Sequence, residues 1–131
     1  MLVSKACAPV MRGNRHGRII NISSGVVTMG RPHYLHYVAS KASVVGMTRA
    51  MARELGADGI TVNALLPGAT FTEIERETVT PAQKTQILNM QCIKRHETAD
   101  DLLAAALYLA SDGAEFVTGQ SIAVDGGTTF R

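Results

Sequence analysis

The chain has 131 residues, the length of one domain, and its 46% hydrophobic and 18% charged side chains describe a protein able to bury a core rather than a disordered tail. Thirteen Lys and Arg against eleven Asp and Glu leave a net charge of +2, too small a surplus to predict an acidic partner. No apolar run approaches the roughly 18 residues that a membrane span requires.

The first element read from the chain is a helix over residues 1–12, with Leu2, Val3, Ala6, Val10 and Met11 spaced for a buried face and Pro9 expected to kink it or end a turn. Its opening, MLVSKACAPVM, has neither the basic start nor the cleavage site of an export signal, so a cytoplasmic protein is the expectation. Cys7 and Cys92 lie far apart with no CxxC spacing, which predicts free thiols rather than a disulfide framework or a zinc site. Arg12, Arg15, His16 and Arg18 follow, a basic turn with no interleaved aromatics, so nucleic acid is not an expected partner.

Residues 18–23, RIINIS, read as a short buried strand. A loop with two glycines and a proline runs to residue 36; its His33 and His36 could face one metal only from a helix, and no third ligand is near, so no metal site is expected. Residues 37–55 are predicted helical and closed by GADG, and ITVNALLPG is a second buried strand ending at a Pro-Gly break. After a polar stretch over 69–80, Thr80 is placed to cap a helix with Pro81 first and Gln83 closing a capping box. Thr98 and Asp101 repeat the device before the apolar helix LLAAALYLA, and GQSIAVDGG is a third strand.

This alternation predicts an α/β fold, a parallel sheet with helices on its faces, and in such sheets ligands sit beyond the carboxyl ends of the strands. Ser23 and Ser24 end the first strand there, and Pro67 and Gly68 end the second. Tyr37, in HYVASKASVVGM, begins the helix between them, with Lys41 one turn further on the same face. A free phenol titrates near about 10, and a neighbouring cation favours its charged form, so such a pair suits a group that gives or takes a proton.

Ser24 thirteen residues before Tyr37, Lys41 four after it, a PG strand end followed by Thr72, and a terminal VDGG together resemble the C-terminal half of the short-chain dehydrogenase/reductase family, along essentially the whole chain. The resemblance implies a partial Rossmann-like, doubly wound sheet comprising the last three strands. It implies an oxidoreductase that interconverts a small-molecule alcohol and carbonyl by hydride transfer with NAD or NADP. Tyr37 would be the acid/base, Lys41 would tune it and hold the nicotinamide ribose, and Ser24 would hydrogen-bond the substrate oxygen. Pro67, Gly68, Thr70 and Thr72 would border the cofactor. Met29, Tyr34, Leu35, Phe71, Ile74 and residues 82–93 would wall the substrate pocket, and LNMQCIKRHETADD stands where the family places a lid. A homo-oligomer, dimer or tetramer, is also implied.

The pattern departs from the family in one respect. A strand, a TGxxxGxG turn and a pyrophosphate-binding helix are missing, as are the residue that selects NAD or NADP and the asparagine of the catalytic tetrad. The expectation is therefore that residues 1–131 form the C-terminal half of the domain without its glycine-rich cofactor half, and do not bind a dinucleotide well alone. The alternative is a non-catalytic fragment acting as an oligomerisation or interaction module, for which Val38, Ala42, Val45 and Ala52 offer a small-residue helix face.

Overall fold

The computed structural model describes residues 2–72 and 80–130. Three parallel strands form one sheet in the order β1 (Gly17–Ile22), β2 (Ile60–Pro67) and β3 (Ser121–Val124). Gly17 pairs with Ile60 through to Ile22 with Leu65, and Ala64 with Ser121 through to Pro67 with Val124. β2 is central and buried from Ile60 to Leu66, including its polar Thr61 and Asn63, as expected of a strand covered on both faces.

Helices cover both faces. On one, Ile60 and Val62 pack with Ala8 and Met11 of α1 (Leu2–Asn14) and with Met51, Ala52 and Leu55 of α3 (Leu35–Leu55). On the other, where alternate strand residues point, α5 (Ala99–Ala110) lies across the three strands, with Leu109 fully buried and Arg18 of β1 bonded to the Ser111 carbonyl at its end. Asn63 of β2 fixes the third strand's approach: its amide donates to the Val117 carbonyl at 2.8 Å and accepts from the Gln120 N–H at 3.0 Å.

Several expectations need correction. α1 runs through Pro9 to Asn14 without ending there, and of the expected stripe only Met11 meets the sheet, together with Ala8: Leu2, Val3 and Val10 are 83%, 76% and 67% exposed. The reason is β1's first residue. Gly17 leaves a hollow that Met11 fills, so closely that a Cβ there would lie 2.7 Å from the sulfur. Val45 and Ala52 of α3 are buried, with Val38 and Ala42 half-buried, so the face expected to meet another subunit packs within this chain. The 24–36 loop contains a short helix, α2 (Val26–Met29), closed by Gly30 in the left-handed conformation.

Both caps are present. The Thr80 hydroxyl and the Gln83 side chain bond each other's backbone N–H at the start of α4 (Pro81–Met90). Before α5, the Asp101 carboxylate accepts the Thr98 N–H at 2.8 Å and the two N–H arms of Arg95, one at 2.7 Å. Cys7 and Cys92 are free thiols. Among the described residues, no helix is long and apolar enough to cross a membrane.

Candidate active site

The carboxyl ends of β1 and β2 are tied to one another and to the first turns of α3. Beyond Ile22 the chain still follows β2, Ser23 donating its N–H to the Leu65 carbonyl and Gly25 to that of Pro67. The Ser23 hydroxyl donates to the Lys41 carbonyl at 2.8 Å, pinning α3 to this strand end. Ser24 is buried, and its hydroxyl oxygen accepts the Val26 N–H at 3.4 Å, a weak bond that turns it toward α2.

Tyr37 stands on the first turn of α3 and is 36% exposed. Lys41 Nζ lies 5.8 Å from the centre of that ring and donates to the Ile22 carbonyl at 3.1 Å, so the ammonium bridges phenol and strand end. Tyr34 meets Tyr37 edge-on at 6.3 Å, and the Arg31 guanidinium caps Tyr34 at 4.2 Å. Tyr37 and Lys41 thus stand together at the β1 end, and Ser24 lies two residues beyond the Ile22 that Lys41 bonds. Of the expected pocket walls, Met29 and Tyr34 are partly exposed here, Leu35 faces solvent, and Phe71 stacks on His96 at 4.4 Å; Ile74 lies outside the described residues.

The residues after β2 are engaged differently from Tyr37 and Lys41. Gly68 donates its N–H to the Val124 carbonyl at 3.0 Å and to Glu97 Oε2 at 3.1 Å, and the Thr70 hydroxyl donates to Glu97 Oε1 at 2.7 Å. Pro67 gives its carbonyl to Gly25, while Thr72 is exposed. LNMQCIKRHETADD, expected as a lid, is anchored in its middle: Cys92 and Ile93 donate their N–H groups to the Gly126 carbonyl, and Gln91 and Glu97 are buried.

Sequence reasoning missed this polar floor. Glu97 sits in a charged run and carries no burial signal of its own, and Asp125 was visible only as part of VDGG. Asp125 organises the turn after β3, one carboxylate oxygen accepting the Gly127 and Thr128 N–H groups and the other the N–H and hydroxyl of Thr129. Burial pushes the Glu97 carboxyl above its ordinary range, the Thr70 and Gly68 bonds oppose that, and the charges of Asp101 and Asp125 add to it. Asp101 is held well below the usual carboxylate range by its bond from Arg95 and then by the Thr98 N–H.

Residues 1–129 match the family model described as Enoyl-(Acyl carrier protein) reductase. The chain belongs to the short-chain dehydrogenase/reductase family. Within it, the chain is 43% identical over 125 residues to the 3-oxoacyl-(acyl-carrier-protein) reductase FabG of Pseudomonas aeruginosa, covering 95% of this chain and 50% of that protein. It is 39% identical over 124 residues to a protein of Rhizobium meliloti assigned as the galactose dehydrogenase GalD, covering 94% and 48%. Among solved structures, one assigned as a short-chain alcohol dehydrogenase of Sinorhizobium meliloti superposes with a TM-score of 0.89 at 32% identity, over 95% of this chain and 50% of that one. The chain therefore spans about half the length of the relatives it matches. The Rossmann-type parallel sheet with flanking helices is common to them.

Proposed function

We propose that this chain supplies the substrate-facing half of an NAD(P)-dependent oxidoreductase that interconverts an alcohol and a carbonyl, with Tyr37 as acid/base. The observation that carries the reading is Lys41 Nζ, held by the Ile22 carbonyl at the strand end and 5.8 Å from the Tyr37 ring. In the direction of reduction, Tyr37 Oη gives its proton to the substrate oxygen; in oxidation it takes it back. Ser24 Oγ donates a hydrogen bond to the same oxygen and stabilises charge as it develops. Bound, the nicotinamide dinucleotide would accept or supply the hydride.

The residues present fit one end of that cofactor. An ammonium has three donors, and the bond to Ile22 leaves Lys41 capacity for a ribose hydroxyl. The 68–72 loop lies beyond the β2 end, where the nicotinamide would rest, with Pro67, Gly68 and Thr70 shaping it and Thr72 exposed. For the pyrophosphate, this sequence has no glycine-rich strand-turn-helix, and Gly25 precedes a helix of only four residues. Substrates named for relatives, a 3-oxoacyl thioester or a sugar, are the first to try.

A homo-oligomer and a cytoplasmic location belong to the same proposal. The outward face of α3, with Ala39, Ser43, Gly46 and Ala50 exposed, is smooth enough for close packing against a second helix. A second reading, an interaction module without catalysis, is favoured by the exposed Leu2, Val3 and Val10 of α1 and Leu103 and Leu107 of α5. Fluorescence titration of the purified chain with NADH and NADPH, followed by absorbance assays on carbonyl substrates, separates the two. Saturable binding and Tyr37-dependent turnover support the enzyme; a folded chain that binds neither dinucleotide supports the module.

A further inference from the structure

Glu97 is 4% exposed and sits between two elements that nothing else in its own segment explains. Its two carboxylate oxygens serve different donors on one loop, Oε2 the Gly68 N–H and Oε1 the Thr70 hydroxyl. Its backbone adds a third tie, the carbonyl accepting the Phe71 N–H at 2.8 Å within an isolated parallel bridge that pairs Thr70 with Glu97. The fit is tight: a Cβ on Gly68 would stand 2.6 Å from Glu97 Oε2 and 2.9 Å from Asp125 Cβ. One residue thus holds three polar groups of the chain just after β2, the Gly68 N–H, the Thr70 hydroxyl and the Phe71 N–H.

We propose that Glu97 is a positioning residue that clamps residues 68–72 against the carboxyl end of the sheet, and so sets where this loop meets the nicotinamide dinucleotide. The inference rests on the function proposed above for its consequence, but the clamp itself can be tested without it. Both ionisation states of the carboxyl suit the site, because a neutral Glu97 can donate to Thr70 Oγ1 while still accepting from Gly68. The charged groups around it are Asp125 beyond β3 and Asp101 of α5, the latter neutralised by Arg95; His96 beside it is stacked on Phe71. Burial is what most disfavours the ionised carboxyl, with the Asp101 and Asp125 charges adding to it, so the clamp loosens as pH rises through the Glu97 titration.

Amide hydrogen exchange, read by mass spectrometry on peptides covering 68–72 with β2 as internal control, decides this. Glu97→Ala should raise exchange in the loop by about tenfold and leave β2 protected, as expected for lost hydrogen bonds with the strand intact. Glu97→Gln, which can still pair with both donors, should stay within about threefold of the parent and lose any rise of exchange with pH beyond the intrinsic base-catalysed one. Thr70→Val removes one donor without touching Glu97 and should also loosen the loop, which keeps the test open if Glu97→Ala folds poorly. In NADH titrations Glu97→Ala should weaken binding by about tenfold, whereas Tyr37→Phe should leave loop exchange unchanged. Unchanged loop exchange in both Glu97→Ala and Thr70→Val would overturn the clamp, and a loosened loop with unaltered NADH affinity would overturn its positioning role. If the parent chain binds no NADH, the proposed function fails while the exchange data still decide the clamp.

Discussion

At the scale of single residues, Tyr37 and Asp101 show how an exposed side chain can matter for different reasons. Tyr37 contributes little to the core, so Tyr37→Phe should leave the thermal midpoint within about a degree or two while lowering turnover by about 10²- to 10⁴-fold, the range of a lost acid/base. Lys41→Ala should reduce turnover as well, with an added loss in dinucleotide affinity, because it removes both the charge beside the ring and the tether to Ile22. Asp101 works on stability. Its carboxylate joins Arg95 to the start of α5, so Asp101→Asn should lower the urea midpoint at neutral pH and leave it unchanged once the parent's carboxyl is protonated.

At the scale of elements, two contrasts test which faces are used. Met11 fills the hollow over Gly17 whereas Val10 next to it faces water, so Met11→Ala should cost about 2 kcal/mol and Val10→Ser less than about 0.5 kcal/mol in denaturant unfolding. The apolar spacing of α1 put both residues on the buried face. Amphipathic periodicity reports that a helix has an apolar side, but the side that meets the sheet is set by which residue fits the strand beneath it. Asn63 is the corresponding polar case. Asn63→Ala strands the Val117 carbonyl and the Gln120 N–H in a buried crossing and should cost about 2–4 kcal/mol, with β3 losing exchange protection before β1.

For the whole molecule, two carboxyls give the pH dependence of stability opposite slopes. Glu97 binds its proton more tightly in the folded chain than in the unfolded one, so between its ordinary and its raised value the unfolded chain holds fewer protons and stability falls as pH rises. Asp101 stays ionised to lower pH when folded, so its contribution is present above the ordinary aspartate value and is lost as pH falls through the folded value. Urea midpoints measured from about pH 2 to 8 should therefore rise up to the ordinary aspartate value and decline above the ordinary glutamate value. Glu97→Gln should flatten that decline alone; a decline that survives it would place the titrating group elsewhere.

The amino-acid sequence by itself determined the order of helices and strands, both capping residues and the positions of Ser24, Tyr37 and Lys41, because these depend on local spacing: alternation with loops, a hydroxyl three residues before its partner, a phenol and an ammonium one turn apart. It also pointed to the carboxyl ends of the strands as the ligand's side, since a right-handed crossover between parallel strands leaves few other arrangements. The tertiary structure alone decided the rest. α2 is too short to show a period, and the buried sides of α1 and α3 depend on Gly17 and on a sheet whose strands come from distant parts of the chain. Glu97 looks like one more charge in a polar run until the 68–72 loop folds over it, because burial is a property of what packs against a residue and not of its neighbours in sequence.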